Sequence, residues 1–98
     1  MVGCVRIAVV IPALDEAEQI QAAVESVRES LGAGTGHSLP RPASLEVVVV
    51  DGGSLDRTVD RARAAGARVI PSPSGRALQL ETGWRATEGE VVLFLHAD

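Results

Sequence analysis

Short apolar runs alternate with amphipathic stretches along the 98 residues. Ile7–Ile11, Val47–Val50 and Val91–Leu95 are rich in β-branched residues and bounded by turn formers, the pattern of strands buried on both faces. Ala67–Ile70 is a weaker fourth run. Between the first two, Ile20, Val24, Val27 and Leu31 recur at helical spacing, with Asp15 and Glu18 placed like a capping box and Gly32 at the far end. A second helix is predicted from near Ser54, with Leu55, Val59 and Ala62 on one face and Gly66 as its stop. A third runs from about Gly75 with Ala77, Leu80 and Trp84 inward, although Gly83 is a poor helix former in its middle. Strand and helix alternate throughout, which predicts an α/β fold with right-handed crossovers and an open parallel sheet flanked by helices. Gly32–Ser44, with its glycines and prolines, reads as an exposed loop.

The length fits one domain, residues 1–98, whose 46% hydrophobic content is mostly Val, Leu, Ile and Ala because Phe94 and Trp84 are the only aromatic residues. Such residues suit a parallel sheet covered on both sides. The net charge of -4 comes with scattered arginines and no lysine, so there is no basic surface to neutralise nucleic-acid phosphates. Cys4 has no second cysteine to pair with and reads as a small apolar residue; with no leader pattern, the cytoplasm is the expected compartment. No apolar run reaches the roughly 18 residues a membrane span needs.

In a parallel sheet the carboxyl ends of all strands share one rim, and ligands of open α/β sheets bind there. The chemistry-bearing residues fall on that rim: Pro12-Ala13-Leu14-Asp15-Glu16, Asp51-Gly52-Gly53-Ser54-Leu55-Asp56, Ser72-Pro73-Ser74-Gly75-Arg76 and His96-Ala97-Asp98. Carboxylates, one arginine, glycines and helix amino ends suit a ribose, a base edge and a diphosphate partly neutralised by a metal. Each element also has a plainer role. Asp15 and Ser54 read equally as helix N-caps, Gly52-Gly53 as a tight turn, Trp84 as core, His96 as a hydrogen-bonded strand end and Asp98 as a solvated carboxylate. Arg76 gains nothing from the dipole in a first helical turn, which favours an anion beside it.

Four ordered motifs, Val9-Val10-Ile11-Pro12-Ala13-Leu14-Asp15-Glu16, Val49-Val50-Asp51-Gly52-Gly53-Ser54-Leu55-Asp56-Arg57-Thr58, Gly75-Arg76-Ala77-Leu78-Gln79 and Leu93-Phe94-Leu95-His96-Ala97-Asp98, make the chain resemble the family 2 glycosyltransferases. The resemblance implies the Rossmann-like amino-terminal half of a GT-A fold, with strand order 3-2-1-4. It also implies transfer of a hexosyl group from a nucleoside diphosphate sugar with Mg or Mn. Carried over by position, Pro12, Ala13, Leu14 and Glu16 line the nucleoside pocket, with Glu16 near the ribose. Asp51 contacts the base with Gly52 beside it, Arg76 lies near base and phosphates, His96 borders the donor, and Asp98 matches the last carboxylate of an Asp-x-Asp metal motif. Asp15 stands where Asn is common, Gly52 where a second Asp is frequent, Glu81 where Asn is usual, and His96 replaces the first metal-motif Asp. The His-Ala-Asp ending resembles a bacterial subgroup.

No catalytic base is assigned within these residues, because in the family it follows the metal motif; the acceptor-binding half is expected beyond Asp98. The competing reading is a module that binds nucleotide without turnover, or an oligomerisation domain. A fourth strand lacking its neighbour would leave an apolar edge, so a homo-oligomer joined through that strand is also expected.

Overall fold

The computed structural model describes residues 5–31, 43–88 and 91–94. Cys4, His37, most of the Gly32–Ser44 loop, Leu95, His96 and Asp98 lie outside the described residues. The elements in chain order are β1 (Val5–Ala13), α1 (Ile20–Leu31), β2 (Ala43–Asp51), α2 (Thr58–Ala64), β3 (Arg68–Pro71), α3 (Arg76–Ala86) and β4 (Val91–Phe94). The strands form one sheet in the order β3-β2-β1-β4, and every neighbouring pair is parallel. Ala13 pairs with Asp51 and Asp51 with Pro71, so three strand ends stand abreast on one rim.

Both central strands are buried on both faces, and alternate side chains feed two cores. Ile7, Val9, Ile11 and Ala13 of β1 join Val47 and Val49 against Ile20, Val24 and Val27 of α1 and Ala62 of α2. Val10, Val48 and Val50 point the other way, toward Leu80 of α3. The helices therefore cover opposite faces, α1 and α2 on one and α3 on the other. Fully burying side chains such as Ile20 and Val24 contributes about 1.5–3 kcal/mol each, and this holds α1 against the sheet.

The structure corrects several sequence expectations. The Asp15–Glu18 capping box does not form: Asp15 has φ 52°, and the first turn is set instead by Glu16, whose carbonyl accepts from Gln19 N at 3.0 Å and Ile20 N at 2.9 Å. The second helix begins at Thr58 and not near Ser54, because Ser54 and Asp56 are engaged with the loop after β1; Leu55, expected inward, is 94% exposed. Gly66 does end that helix. At φ 101° it closes a Schellman motif in which Ala67 N donates to Ala62 O at 3.1 Å and Gly66 N to Arg63 O at 3.0 Å.

Helix α3 presents a face turned from the one expected, with Leu80 against the core but Ala77 and Trp84 outside. Trp84 is 57% exposed, Leu80 is half-buried, and the buried positions are Gln79 and Gly83. Gly83 dictates this. A Cβ there would lie 2.3 Å from Val10 Cγ1 and 2.8 Å from Val50 Cγ2, so the glycine allows the helix backbone to reach the sheet. Gln79, one helical turn earlier, is carried inward with it.

Candidate functional site

The rim at Ala13, Asp51 and Pro71 is built by three loops, and the first two are stitched together. Asp51, nearly buried at the end of β2, accepts from Gly53 N at 3.1 Å and Ser54 N at 3.0 Å through Oδ2, while the Ser54 hydroxyl donates to its Oδ1. Gly53 makes this carboxylate-centred turn possible by adopting φ 105°. The same Ser54 Oγ accepts from Asp15 N at 2.8 Å, and Asp15 Oδ1 accepts from Leu55 N at 2.7 Å. These two bonds hold the positive φ of Asp15, a conformation costly for most residues other than Asn, Asp and Gly.

A second set of bonds lies behind the first. Glu16 N donates to Thr58 Oγ1 at 2.8 Å, Ala17 N to Asp56 Oδ2 at 3.2 Å, and Arg61 Nη1 to Ala17 O at 2.9 Å. The Thr58 hydroxyl and, at 2.9 Å, its backbone N–H both donate to Asp56 Oδ1. These bonds, with the Thr58 hydroxyl foremost and Ala17 N–H adding, hold the Asp56 carboxyl below the ordinary aspartate value. Ser54 and Asp56, which look like caps for their own helix, instead fix the shape of the neighbouring loop.

Between the first and third loops lies a cleft of about 200 Å³, lined by Pro12, Ala13, Leu14, Glu16, Ser74, Gly75, Arg76 and Gln79. One wall is apolar and carries the half-buried Glu16; the other carries the exposed Arg76 and the amino end of α3. A helix amino end and a cation on one side, with an apolar wall and a carboxylate on the other, suit an anion joined to a polyhydroxyl ring.

Five residues singled out in the sequence, Pro12, Ala13, Leu14, Glu16 and Arg76, come together here. Asp51 and Gly52 do not line the cleft. They stand just behind it, with Gly52 N donating to Ala13 O at 2.9 Å. His96 and Asp98 lie outside the described residues, among which no group of three His, Cys, Asp or Glu side chains could hold a metal ion.

Sequence reasoning assigned no role to Gln79. It is 5% exposed, and its Nε2 donates to Ala13 O at 3.0 Å and Val50 O at 2.9 Å while Oε1 accepts from Gly75 N at 3.2 Å. Its spacing of four from Gly83 is the signal that could have found it, since the two share a helix face.

This sheet order, with a cleft at the strand ends framed by an arginine-bearing helix terminus, is an architecture for binding nucleotides. The sequence profile described as glycosyl transferase family 2 matches residues 8–98, and the chain belongs to that family. It is similar to glucosyl-3-phosphoglycerate synthase of Mycolicibacterium smegmatis, 33% identical over 94% of this chain and 30% of that protein. It is also similar to the Mycobacterium tuberculosis synthase, 38% identical over 94% of this chain and 28% of that protein. Among solved structures, the M. tuberculosis synthase in complex with Mn2+, uridine diphosphate and glucosyl-3-phosphoglycerate superposes with a TM-score of 0.72 at 30% identity, covering 95% of this chain and 33% of that one. The same enzyme with Mg2+ and uridine diphosphate gives 0.73 at 29%, over 95% and 33%. The chain thus spans about 30% of the length of these curated relatives. Among the described residues, no helix is long and apolar enough to cross a membrane.

Proposed function

We propose that this chain is the donor-binding part of a glycosyltransferase, holding a nucleoside diphosphate sugar for transfer of the sugar to an acceptor. The observation that carries the reading is the meeting of Pro12, Ala13, Leu14, Glu16 and Arg76 in one cleft at the strand ends of a family 2 chain. Uridine diphosphate with Mn2+ or Mg2+, present in the related synthase structures, is the first ligand to test.

In this reading the apolar wall of Pro12, Ala13 and Leu14 packs the nucleoside, and Glu16 accepts a hydrogen bond from a ribose hydroxyl. Asp51, clamped by its own turn just behind the cleft with Gly52 alongside, holds the wall against which the base lies. Arg76 and the amino end of α3 oppose the diphosphate charge. Asp98, with His96 beside it, is the residue we assign to the metal. Mg2+ binds through one or two carboxylates together with phosphate oxygens, so a single protein ligand fits that ion without a preformed cluster. The metal would neutralise charge on the leaving diphosphate.

Calorimetric titration of the full chain with uridine and guanosine diphosphates, with Mn2+, tests the reading. Heat with at least one nucleotide is expected, reduced by Asp51→Ala and by Arg76→Ala; no heat with either nucleotide rejects it. We also propose a cytoplasmic protein that associates with a second copy through the outer edge of β4, which carries no strand among the described residues. Light scattering that returns a monomer at micromolar concentration rejects the association.

A further inference from the structure

The structure assigns Gln79 as the positioning residue of the cleft, the side chain that sets the spacing of its walls through bonds to the backbone and not by donating to the ligand. The inference rests on the nucleotide reading above. Gln79 is the one side chain among the described residues that bonds at once to the ends of β1 and β2 and to the start of α3, through Ala13 O, Val50 O and Gly75 N. Ala13 and Gly75 lie on opposite walls, so the amide fixes the width between the nucleoside side and the phosphate side.

The orientation of the amide follows from its partners. Two carbonyls face one end and an N–H faces the other, so a flipped amide would set oxygen against two oxygens. Both N–H donors are consumed by the backbone, which leaves none for a ligand. Gly52 closes the arrangement: a Cβ there would sit 3.0 Å from Gln79 Cδ, Nε2 and Oε1, and the amide is pinned and unable to yield. The glycine after Asp51 is thus matched to the glutamine on α3.

Two variants separate this role from simple filling of space. Gln79→Met keeps the length and removes all three hydrogen bonds. Gln79→Glu keeps the shape, but its carboxylate meets two carbonyl oxygens and can donate only when protonated, so its folded-state pKa is raised. The fit is then present below that value and lost as pH rises through it.

The probe is uridine diphosphate with Mn2+, titrated into the full chain, with folding followed by circular dichroism. Gln79→Met is expected to stay folded and bind about tenfold more weakly, the affinity equivalent of one net hydrogen bond. Gln79→Glu is expected to bind weakly at about pH 7.5 and to regain affinity relative to the unsubstituted chain toward about pH 5. Unchanged affinity in a folded Gln79→Met, or no relative recovery of Gln79→Glu on acidification, overturns the assignment.

Hydrogen exchange of the Gly75 amide supplies a readout that needs no nucleotide. Faster exchange of that amide in Gln79→Met, which offers it no side-chain oxygen, supports the clamp. Exchange equal to that of the unsubstituted chain overturns it. If the unsubstituted chain takes up no nucleotide while the exchange behaves as expected, the nucleotide reading has failed and the clamp has not.

Discussion

Replacing Gly83 with alanine should destabilise the chain, although helix propensity alone predicts the opposite. In an exposed helix the change gains about 1 kcal/mol. Here the new methyl would lie 2.3 Å from Val10 Cγ1 and 2.8 Å from Val50 Cγ2, where carbon atoms normally rest about 3.5–4.0 Å apart. Val10 and Val50 are fully buried and β-branched, so neither has a free rotamer to retreat into. Helix α3 must withdraw by about an ångström, a shift typical of overpacked cores, which cost about 1–3 kcal/mol. Because both neighbours are rigid, the upper end of that range applies and the net loss is about 2 kcal/mol. For a domain of this size each kcal/mol lowers Tm by about 4–8 °C, so a drop of about 10 °C is expected in thermal unfolding followed at 222 nm. Combining Gly83→Ala with Val10→Ala should cost less than the sum of the two, because the second change removes the atoms the first collides with. A Gly83→Ala chain as stable as the original or more so would show that α3 does not press on the sheet as described.

Two other outcomes follow from the stitched loops. The depressed pKa of Asp56 adds stability above the unfolded-state value of about 3.9 that is lost as pH falls through the folded value, so the Tm gap between the unsubstituted chain and Asp56→Ala should shrink below about pH 4. A gap that stays constant across that range would refute the role given to its hydrogen bonds with Thr58 and Ala17. Leu55→Ser should change stability by no more than about 0.5 kcal/mol, since the side chain is 94% exposed; a loss of about 2 kcal/mol in urea denaturation would place Leu55 in a core.

The strands and α1 were legible in the sequence because Val47–Val50 form the unbroken apolar run of a strand buried on both faces, while Ile20, Val24 and Val27 repeat with the helical period. Gathering the loop residues on one rim needed only the alternation of strand and helix, and Pro12, Ala13, Leu14, Glu16 and Arg76 do converge there. Local pattern could not reveal partners some forty residues away. Asp15 and Ser54 have the chemistry of N-caps, but the Asp15 carboxylate is taken by Leu55 N and the Ser54 hydroxyl by Asp15 N and Asp51, and this delays α2 to Thr58 and leaves Leu55 outside. Periodicity also placed Leu80 correctly on α3 but misplaced Ala77 and Trp84. Counting apolar residues points Trp84 inward, yet the closest approach to a sheet is made where a side chain is missing, so Gly83 faces Val10 and Val50 and brings Gln79 with it. The sequence by itself determined which segments become strands and on which rim their chemistry collects, since both follow from spacing along the chain. Only the tertiary structure decided which polar side chains hold that rim in shape, because their partners are backbone groups that become neighbours when β1, β2 and α3 are packed together.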